Sequence, residues 1–225
     1  MGHESGSGYY PVMLDLSGQR CLVVGGGEVA VRKVKGLVEA GASVTVVAPM
    51  IDGRLRQMGG LEVRERTFRT TDLHGMTLAI VATDDAVLNR TVARDARDLG
   101  VLVNVVDCPA MCTFILPATL RRGPVQVSVS TGGTSPSLAR KLRDMLQESI
   151  GAEYGELAGL LGELRGEVME RVADGEVRAR LFEQLSGEEF LGLVREGKID
   201  QARERMRKLL EKEAGESPQS HREQP

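Results

Sequence analysis

The run Gly25-Gly26-Gly27-Glu28-Val29-Ala30 follows the apolar stretch Arg20-Cys21-Leu22-Val23-Val24 and opens a segment with an apolar stripe at helical spacing. That order, strand then glycine turn then helix, narrows the folds open to the chain more than any other feature. The spacing is G-x-G-x-x-A. Gly25 allows the tight turn, Gly27 lets the backbone approach a pyrophosphate, and Ala30 lets helix and strand pack closely. The helix N-terminus offers unpaired N–H groups and partial positive charge to phosphates. On this reading Gly25, Gly26, Gly27, Glu28, Val29 and Ala30 hold a dinucleotide. The alternative is a glycine-rich turn with no ligand. The flanking strand, helix and second strand favour the dinucleotide.

The pattern continues along the first half. Val29, Val31, Val34, Leu37 and Val38 predict a helix over 28–40, ended by Gly41. Residues 43–48 predict a strand stopped by Pro49, and 51–58 a short helix. Residues 61–67 alternate as a half-exposed edge strand does. Residues 78–82 predict a strand, 86–99 a helix ended by Gly100, and 101–106 a further strand. The alternation predicts an α/β fold with a Rossmann-like parallel sheet. Ligands bind such sheets at the carboxyl ends of the strands. Pro49, Met50, Thr83 and Asp84 stand there as further cofactor contacts, with Asp107 on the next loop. Thr83 or Asp84 serves equally well as the N-cap of the helix from Ala86. The acidic residue that commonly ends the second strand is missing, because the sequence there is Val47-Ala48-Pro49-Met50. Backbone groups near Ala48 to Met50 would then hold the adenosine ribose. Asp52 falls inside the next segment, and Arg54 and Arg56 leave a 2′-phosphate open, so chemistry alone does not separate NAD from NADP.

Composition narrows the classes. Aromatic residues are 3% with no Trp, so the core is built from Val, Leu, Ala and Met, which suits a covered parallel sheet. The net charge of −3 argues against a general nucleic-acid binder. No apolar leader or membrane-length run is present, so neither secretion nor a membrane is expected. Cys21, Cys108 and Cys112 are odd in number, which points to reduced thiols in the cytoplasm. His3, His74 and His221 are scattered, so no resident metal is expected. Cys108 and Cys112 read as small apolar residues.

After residue 112 the pattern changes. Residues 113–116 and 125–130 read as two strands separated by the basic turn Arg121-Arg122-Gly123-Pro124. A helix is expected from Pro136 to about Ser149, with Ser135 as N-cap and Pro136 at its first position. From Glu153 only helices follow. Tyr154, Leu157, Leu161, Leu164, Val168 and Val172 form one stripe, and 176–194 and 199–210 form a second pair. The expected division is a flexible leader at 1–8, a dinucleotide-binding domain at 9–112, a small α+β dimerisation and substrate domain at 113–150, an all-helical domain at 151–212 and a disordered tail at 213–225.

Four strings occur together and in order: Val-Val-Gly-Gly-Gly-Glu-Val-Ala-Val-Arg-Lys (23–33), Ala-Thr-Asp-Asp (82–85), Asn-Val-Val-Asp-Cys-Pro (104–109) and Val-Ser-Thr-Gly-Gly-Thr-Ser-Pro-Ser-Leu-Ala-Arg (129–140). With them the chain resembles the precorrin-2 dehydrogenase / sirohydrochlorin ferrochelatase family, the N-terminal part of sirohaem synthase, over about residues 9–212. The resemblance implies a homodimer that uses NAD to oxidise precorrin-2 to sirohydrochlorin. For many members it also implies insertion of ferrous iron, as a substrate, into sirohydrochlorin. A chain ending at 225 is expected to lack the methyltransferase domain that some members carry. The family's key aspartate matches Asp107, which would take a proton during ring oxidation. The alternative for Asp107 is bracing of the turn before Pro109. The substrate is fringed with carboxylates, so Gly132, Gly133, Thr134 and Ser135 at a helix start, with Arg121 and Arg140, are its expected contacts. Arg122, Lys141 and Arg143 lie nearby, and a solvated basic face is the other reading of all these arginines. A competing reading of a different class is a dimeric NAD-sensing regulatory module without turnover.

Overall fold

A computed structural model describes residues 8–215. The chain forms two compact units: one takes in the chain through Leu116 together with Thr131–Ser135, the other Pro117–Ser130 and the chain from Pro136.

In the first unit, β1 (Arg20–Val24), β2 (Ser43–Val47), β3 (Leu61–Arg64), β4 (Leu78–Val81) and β5 (Leu102–Val105) form one parallel sheet in the order β3-β2-β1-β4-β5. Between them run α1 (Glu28–Glu39), α2 (Gly53–Gln57) and α3 (Ala86–Asp98). The strands are apolar on both sides because both faces are covered. Cys21 and Val23 join α1 residues Ala30, Val31, Val34 and Leu37 in one core. Leu22 and Val24, pointing the opposite way, join α3 residues Val92, Ala93 and Ala96 in another. Each fully buried Val or Leu contributes about 1.5–3 kcal/mol by leaving water, so slipping β1 by one residue would exchange both cores at once. Order reverses at β1, whose neighbours are β2 and β4. That reversal opens a crevice at the carboxyl edge. The chain before β1 is irregular, with Tyr10, Val12 and Met13 exposed and Leu16 buried.

The second unit starts with the antiparallel hairpin β6 (Ala118–Arg122) and β7 (Val125–Val129). Here the structure departs from the expected strand at 113–116 and from a four-residue basic turn. Thr113 is recruited by β5: its N–H donates to the Val103 carbonyl oxygen at 2.8 Å, and its hydroxyl accepts from the Val103 N–H at 2.8 Å. The strand begins after Pro117, and Arg121 and Arg122 lie in it, paired with Gln126 and Val125. Gly123 (φ +53) and Pro124 alone make the turn, which suits a type II′ corner with glycine first.

Helices α4 (Pro136–Ser149), α5 (Ala152–Arg171), α6 (Gly175–Leu185), α7 (Glu188–Arg195) and α8 (Ile199–Gly215) complete the unit. Their core includes Leu157, Leu160, Leu164, Val168, Leu181, Leu185 and Phe190. The helix expected over 176–194 is two helices. Ser186 and Gly187 break it, with the Gly187 N–H turning back to the Gln184 carbonyl oxygen at 3.0 Å. Helix α8 runs on to Gly215, past the end expected at 210, through the good helix formers Lys212 and Ala214. The expectations for 1–7 and 216–225 lie outside the described residues.

Candidate functional site

The glycine turn forms at the end of β1, where Gly25 has φ +123, a region costly for any residue with a Cβ. A Cβ on Gly25 would overlap the Ala82 carbonyl oxygen, and one on Gly26 the Met50 carbonyl oxygen. These two glycines are required by the protein's own packing. Gly27 is different: a Cβ there would meet nothing within 4 Å. Gly27 caps α1 without a side chain, and the Val31 N–H closes the first helical bond to its carbonyl oxygen at 3.1 Å. The first-turn N–H groups have no intrahelical partner. Open space over them is what a backbone cradle for phosphate needs. Ala30 is fully buried against the sheet, Val29 is half-buried and Glu28 is exposed.

A cleft of about 780 Å³ lies over this turn. Its walls are the ends of β1, β2 and β4: Gly25 to Gly27, Pro49 to Asp52, and Ala82 to Asp85, with Leu88 on α3 and Thr67 and Phe68 after β3. Of the expected cofactor contacts, Gly25, Gly26, Gly27, Pro49, Met50, Thr83 and Asp84 line it. Glu28, Val29 and Ala30 follow directly in α1. The cap of α3 is Asp85 and not Thr83 or Asp84; its carboxylate accepts from the Val87 and Leu88 N–H groups at 2.9 and 3.0 Å. One residue later in the chain lets the side chain reach both. Thr83 instead donates to Asn89 Oδ1 at 2.6 Å, and Asn89 donates back to the Thr83 carbonyl oxygen at 2.9 Å.

Asp107 stands after β5 at the same edge, exposed, and is the one non-glycine among the described residues with positive φ, at +57. Aspartate is among the few residues that enter this region readily. Lys33 on α1 is half-buried; burial pushes its ammonium pKa down, Arg32 adds to that, and the charge of Asp107 pulls it back up. Beyond Asp107, Cys112 ties the loop down. Its sulfur lies 3.3 Å from both the Val105 and the Cys108 carbonyl oxygens, which share its one S–H donor, and burial raises its pKa. The segment Thr131–Ser135 belongs to the same unit, and a Cβ on Gly133 would stand 4.0 Å from the Pro109 Cβ. The Asp107 loop and the expected anion loop are therefore neighbours. The Ser135 N–H donates to the Thr131 hydroxyl at 3.0 Å and the Thr134 hydroxyl donates to the Thr131 carbonyl oxygen at 2.6 Å, which shapes a turn just before α4. In the second unit Arg121 and Arg140 are exposed and form no ion pair with a described residue. Arg122 donates to the Ile150 carbonyl oxygen at 3.2 Å, and Arg143 pairs with Asp144 at 2.7 Å.

The sequence does not single out Thr67, Phe68 and Leu88 of the cleft wall or Lys33 beside Asp107, and it leaves Asp52 inside the segment after β2. Asp52-Gly53 carries a readable signal, an acidic cap before a short helix. Thr67 and Phe68 carry none, because only the sheet brings β3 beside β2. Among the described residues no three of His, Cys, Asp and Glu converge as a metal site, and no helix is long and apolar enough to cross a membrane.

Three family models match the chain in order: "Putative NAD(P)-binding" over 12–118, "Sirohaem biosynthesis protein central" over 122–149 and "Sirohaem synthase dimerisation region" over 153–210. The chain belongs to the sirohaem synthase family. Sirohaem synthases of Methylococcus capsulatus and Stutzerimonas stutzeri are each 43% identical to it, over 86% and 94% of this chain. The matched stretches are 42% and 46% of those relatives, so the chain spans less than half the length of the curated sirohaem synthases it resembles. The solved structure of "SirC, precorrin-2 dehydrogenase" is similar over 88% of this chain and 100% of that one, with 29% identity and a TM-score of 0.74.

Proposed function

We propose that this member of the family oxidises precorrin-2 to sirohydrochlorin with NAD. One observation carries the reading: the glycine cleft and the Asp107 loop share the carboxyl edge of one sheet, and Thr131–Ser135 lies against that loop. A dinucleotide site alone would serve a sensor as well. A carboxylate held in the left-handed region at the same edge, beside an anion-binding turn, suits a reaction that removes a hydride and a proton from an anionic ring.

Bound NAD supplies the hydride acceptor. The first-turn N–H groups of α1, from Glu28 to Ala30, receive the pyrophosphate, and the wall from Pro49 to Asp52 borders the adenosine half. Thr83 and Asp84 border the cleft on the β4 side. Asp107 takes the proton, and its charge reaches Lys33 on α1, whose ammonium form it favours. Gly132, Gly133, Thr134 and Ser135 receive carboxylate arms of the substrate, and Arg121 and Arg140 offer exposed cationic charge in the second unit. The division of labour follows the sequence: 9–112 holds the cofactor, 113–150 serves substrate and dimer, and 151–212 forms the helical domain. The match of 153–210 to a dimerisation region supports a homodimer. Three free thiols, Cys21, Cys108 and Cys112, suit a reducing cytoplasm. Ferrous iron is proposed as a second substrate, inserted into sirohydrochlorin with Asp107 helping to remove the pyrrole protons.

The test is to mix the chain with precorrin-2 and NAD and follow NADH. NADH formation supports the dehydrogenase; folded, NAD-binding protein that forms none favours the sensor. Ferrous ion added to sirohydrochlorin then reads the second activity, and unchanged sirohydrochlorin would exclude it.

A further inference from the structure

The end of β2 lacks the carboxylate that dinucleotide-binding sheets commonly use for the adenosine ribose, yet the cleft has one. Asp52 comes five residues after Val47, and the chain folds back so that its N–H donates to the Gly26 carbonyl oxygen at 2.8 Å. Its side chain is 25% exposed and lines the cleft beside the glycine turn. Three bonds fix the carboxylate. Oδ1 accepts the Arg54 N–H at 2.9 Å and Arg54 Nε at 3.0 Å, and Oδ2 accepts one guanidinium N–H at 2.8 Å. Oδ2 therefore keeps an acceptor site for a further donor.

The guanidinium groups on this side of the sheet point to the same conclusion. Arg54 is held by Asp52, and the charge of Glu28 also favours its cationic form. Arg56 forms a two-pronged pair with Glu65 at 2.6 and 2.8 Å. Arg64 pairs with Glu62 and Asp72, and Arg66 with Asp72. The cations that would receive a 2′-phosphate already face carboxylates. The arginines at 54 and 56, which from the sequence left NADP open, are spoken for.

We infer that Asp52 is the specificity-determining residue for the cofactor: its Oδ2 accepts a ribose hydroxyl of NAD, and its charge, with the Arg54 guanidinium already engaged by it, disfavours the 2′-phosphorylated form. Hydrogen bonds to the Arg54 guanidinium and backbone N–H hold the Asp52 carboxyl at about 2, so it is ionised throughout the neutral range. Backbone atoms near Ala48 to Met50 could hold a ribose but could not discriminate by charge. The inference rests on the dinucleotide reading of the cleft.

The test is a titration of the whole chain with NAD and with NADP, read as dissociation constants with no tetrapyrrole present. Wild type is expected to bind NAD the more tightly. Asp52→Asn keeps an oxygen to cap α2 while removing the charge, and Asp52→Ser does the same with a shorter cap. Each is expected to lower the preference for NAD by roughly tenfold or more, from weaker NAD and tighter NADP binding together. In Asp52→Asn, adding Arg54→Ala should abolish the gain in NADP, because the released guanidinium provides it. A folded Asp52→Asn or Asp52→Ser with an unchanged preference overturns the inference while leaving the dinucleotide site intact. Wild type that prefers NADP overturns it too. Wild type that binds neither dinucleotide overturns the reading of the cleft, and the inference with it.

Discussion

The Gly26 carbonyl oxygen accepts the Asp52 N–H at 2.8 Å, while a Cβ on Gly26 would overlap the carbonyl oxygen of Met50. The loop after β2 is thereby clamped onto the glycine turn after β1, and the cleft wall and cleft floor are one structure. Gly26→Ala should force these backbones apart at a cost of roughly 1–3 kcal/mol, the usual range for overpacking. Gly27→Asn meets no protein atom at its Cβ, and Asn is a favoured N-cap. It should leave thermal stability nearly unchanged and weaken NAD by roughly tenfold or more. Melting curves beside NAD titrations of the two variants check this separation; equal melting losses in both would contradict it.

Asp72 is 1% exposed and gathers Arg64 at 2.7 Å, Arg66 at 2.5 Å and the Arg69 N–H at 2.9 Å. Burial pushes its carboxyl up, but the bonds from Arg66, the Arg69 N–H and Arg64 outweigh that and hold it at about 2. Because the folded value lies below the unfolded one, the contribution to stability is complete above about pH 4 and is lost as pH falls toward 2. Its size is about 1–2 kcal/mol, allowing for the partial exposure of the arginines. Asp72→Asn should therefore be less stable than wild type by a constant amount from pH 5 to 8, and the gap should close in acid. Denaturant unfolding across pH measures it.

Two glycines on α5 should answer in opposite directions. Gly155 packs on the hairpin turn, and a Cβ there would overlap the Arg122 carbonyl oxygen. Gly162 faces open space. Gly162→Ala should stabilise by about 0.5–1 kcal/mol from helix propensity. Gly155→Ala should destabilise by about 2 kcal/mol, because overpacking exceeds the same propensity gain. Thermal unfolding of both variants reads the sign.

The sequence made β1, α1 and β2 readable because Arg20–Val24, the glycines and the stripe from Val29 to Leu37 all agree. It misdirected where local pattern and tertiary demand differ. Thr113-Phe-Ile-Leu116 has strand composition, but Thr113 is taken by Val103 and Pro117 restarts the chain. Arg121 and Arg122 look like turn residues by charge, yet the corner needs only Gly123 and Pro124. The apolar spacing through Leu181, Leu185 and Phe190 hides the break at Gly187. At the site, the glycines and Asp107 were legible because each sits next to a strand end. Asp52 was legible only as an acidic cap before a short helix; its place on the cleft was not, because that depends on a loop folding back to Gly26.

Asp107 (φ +57) separates charge from backbone. Asparagine tolerates the left-handed region nearly as well as aspartate, whereas alanine pays about 1 kcal/mol there. Asp107→Asn should keep stability and NAD affinity while turnover falls by roughly 10²–10⁴, the usual worth of a general base. Asp107→Ala should lose turnover and some stability. Kinetics with precorrin-2 beside melting curves distinguish a base from a turn brace.

The most direct measurement follows NADH and sirohydrochlorin together after precorrin-2 and NAD are added to wild type. The two are expected to appear in equal amounts and at one rate, with neither formed by Asp107→Asn at a comparable rate. Folded protein that binds NAD but yields neither product, or an Asp107→Asn variant that turns over normally, would contradict it.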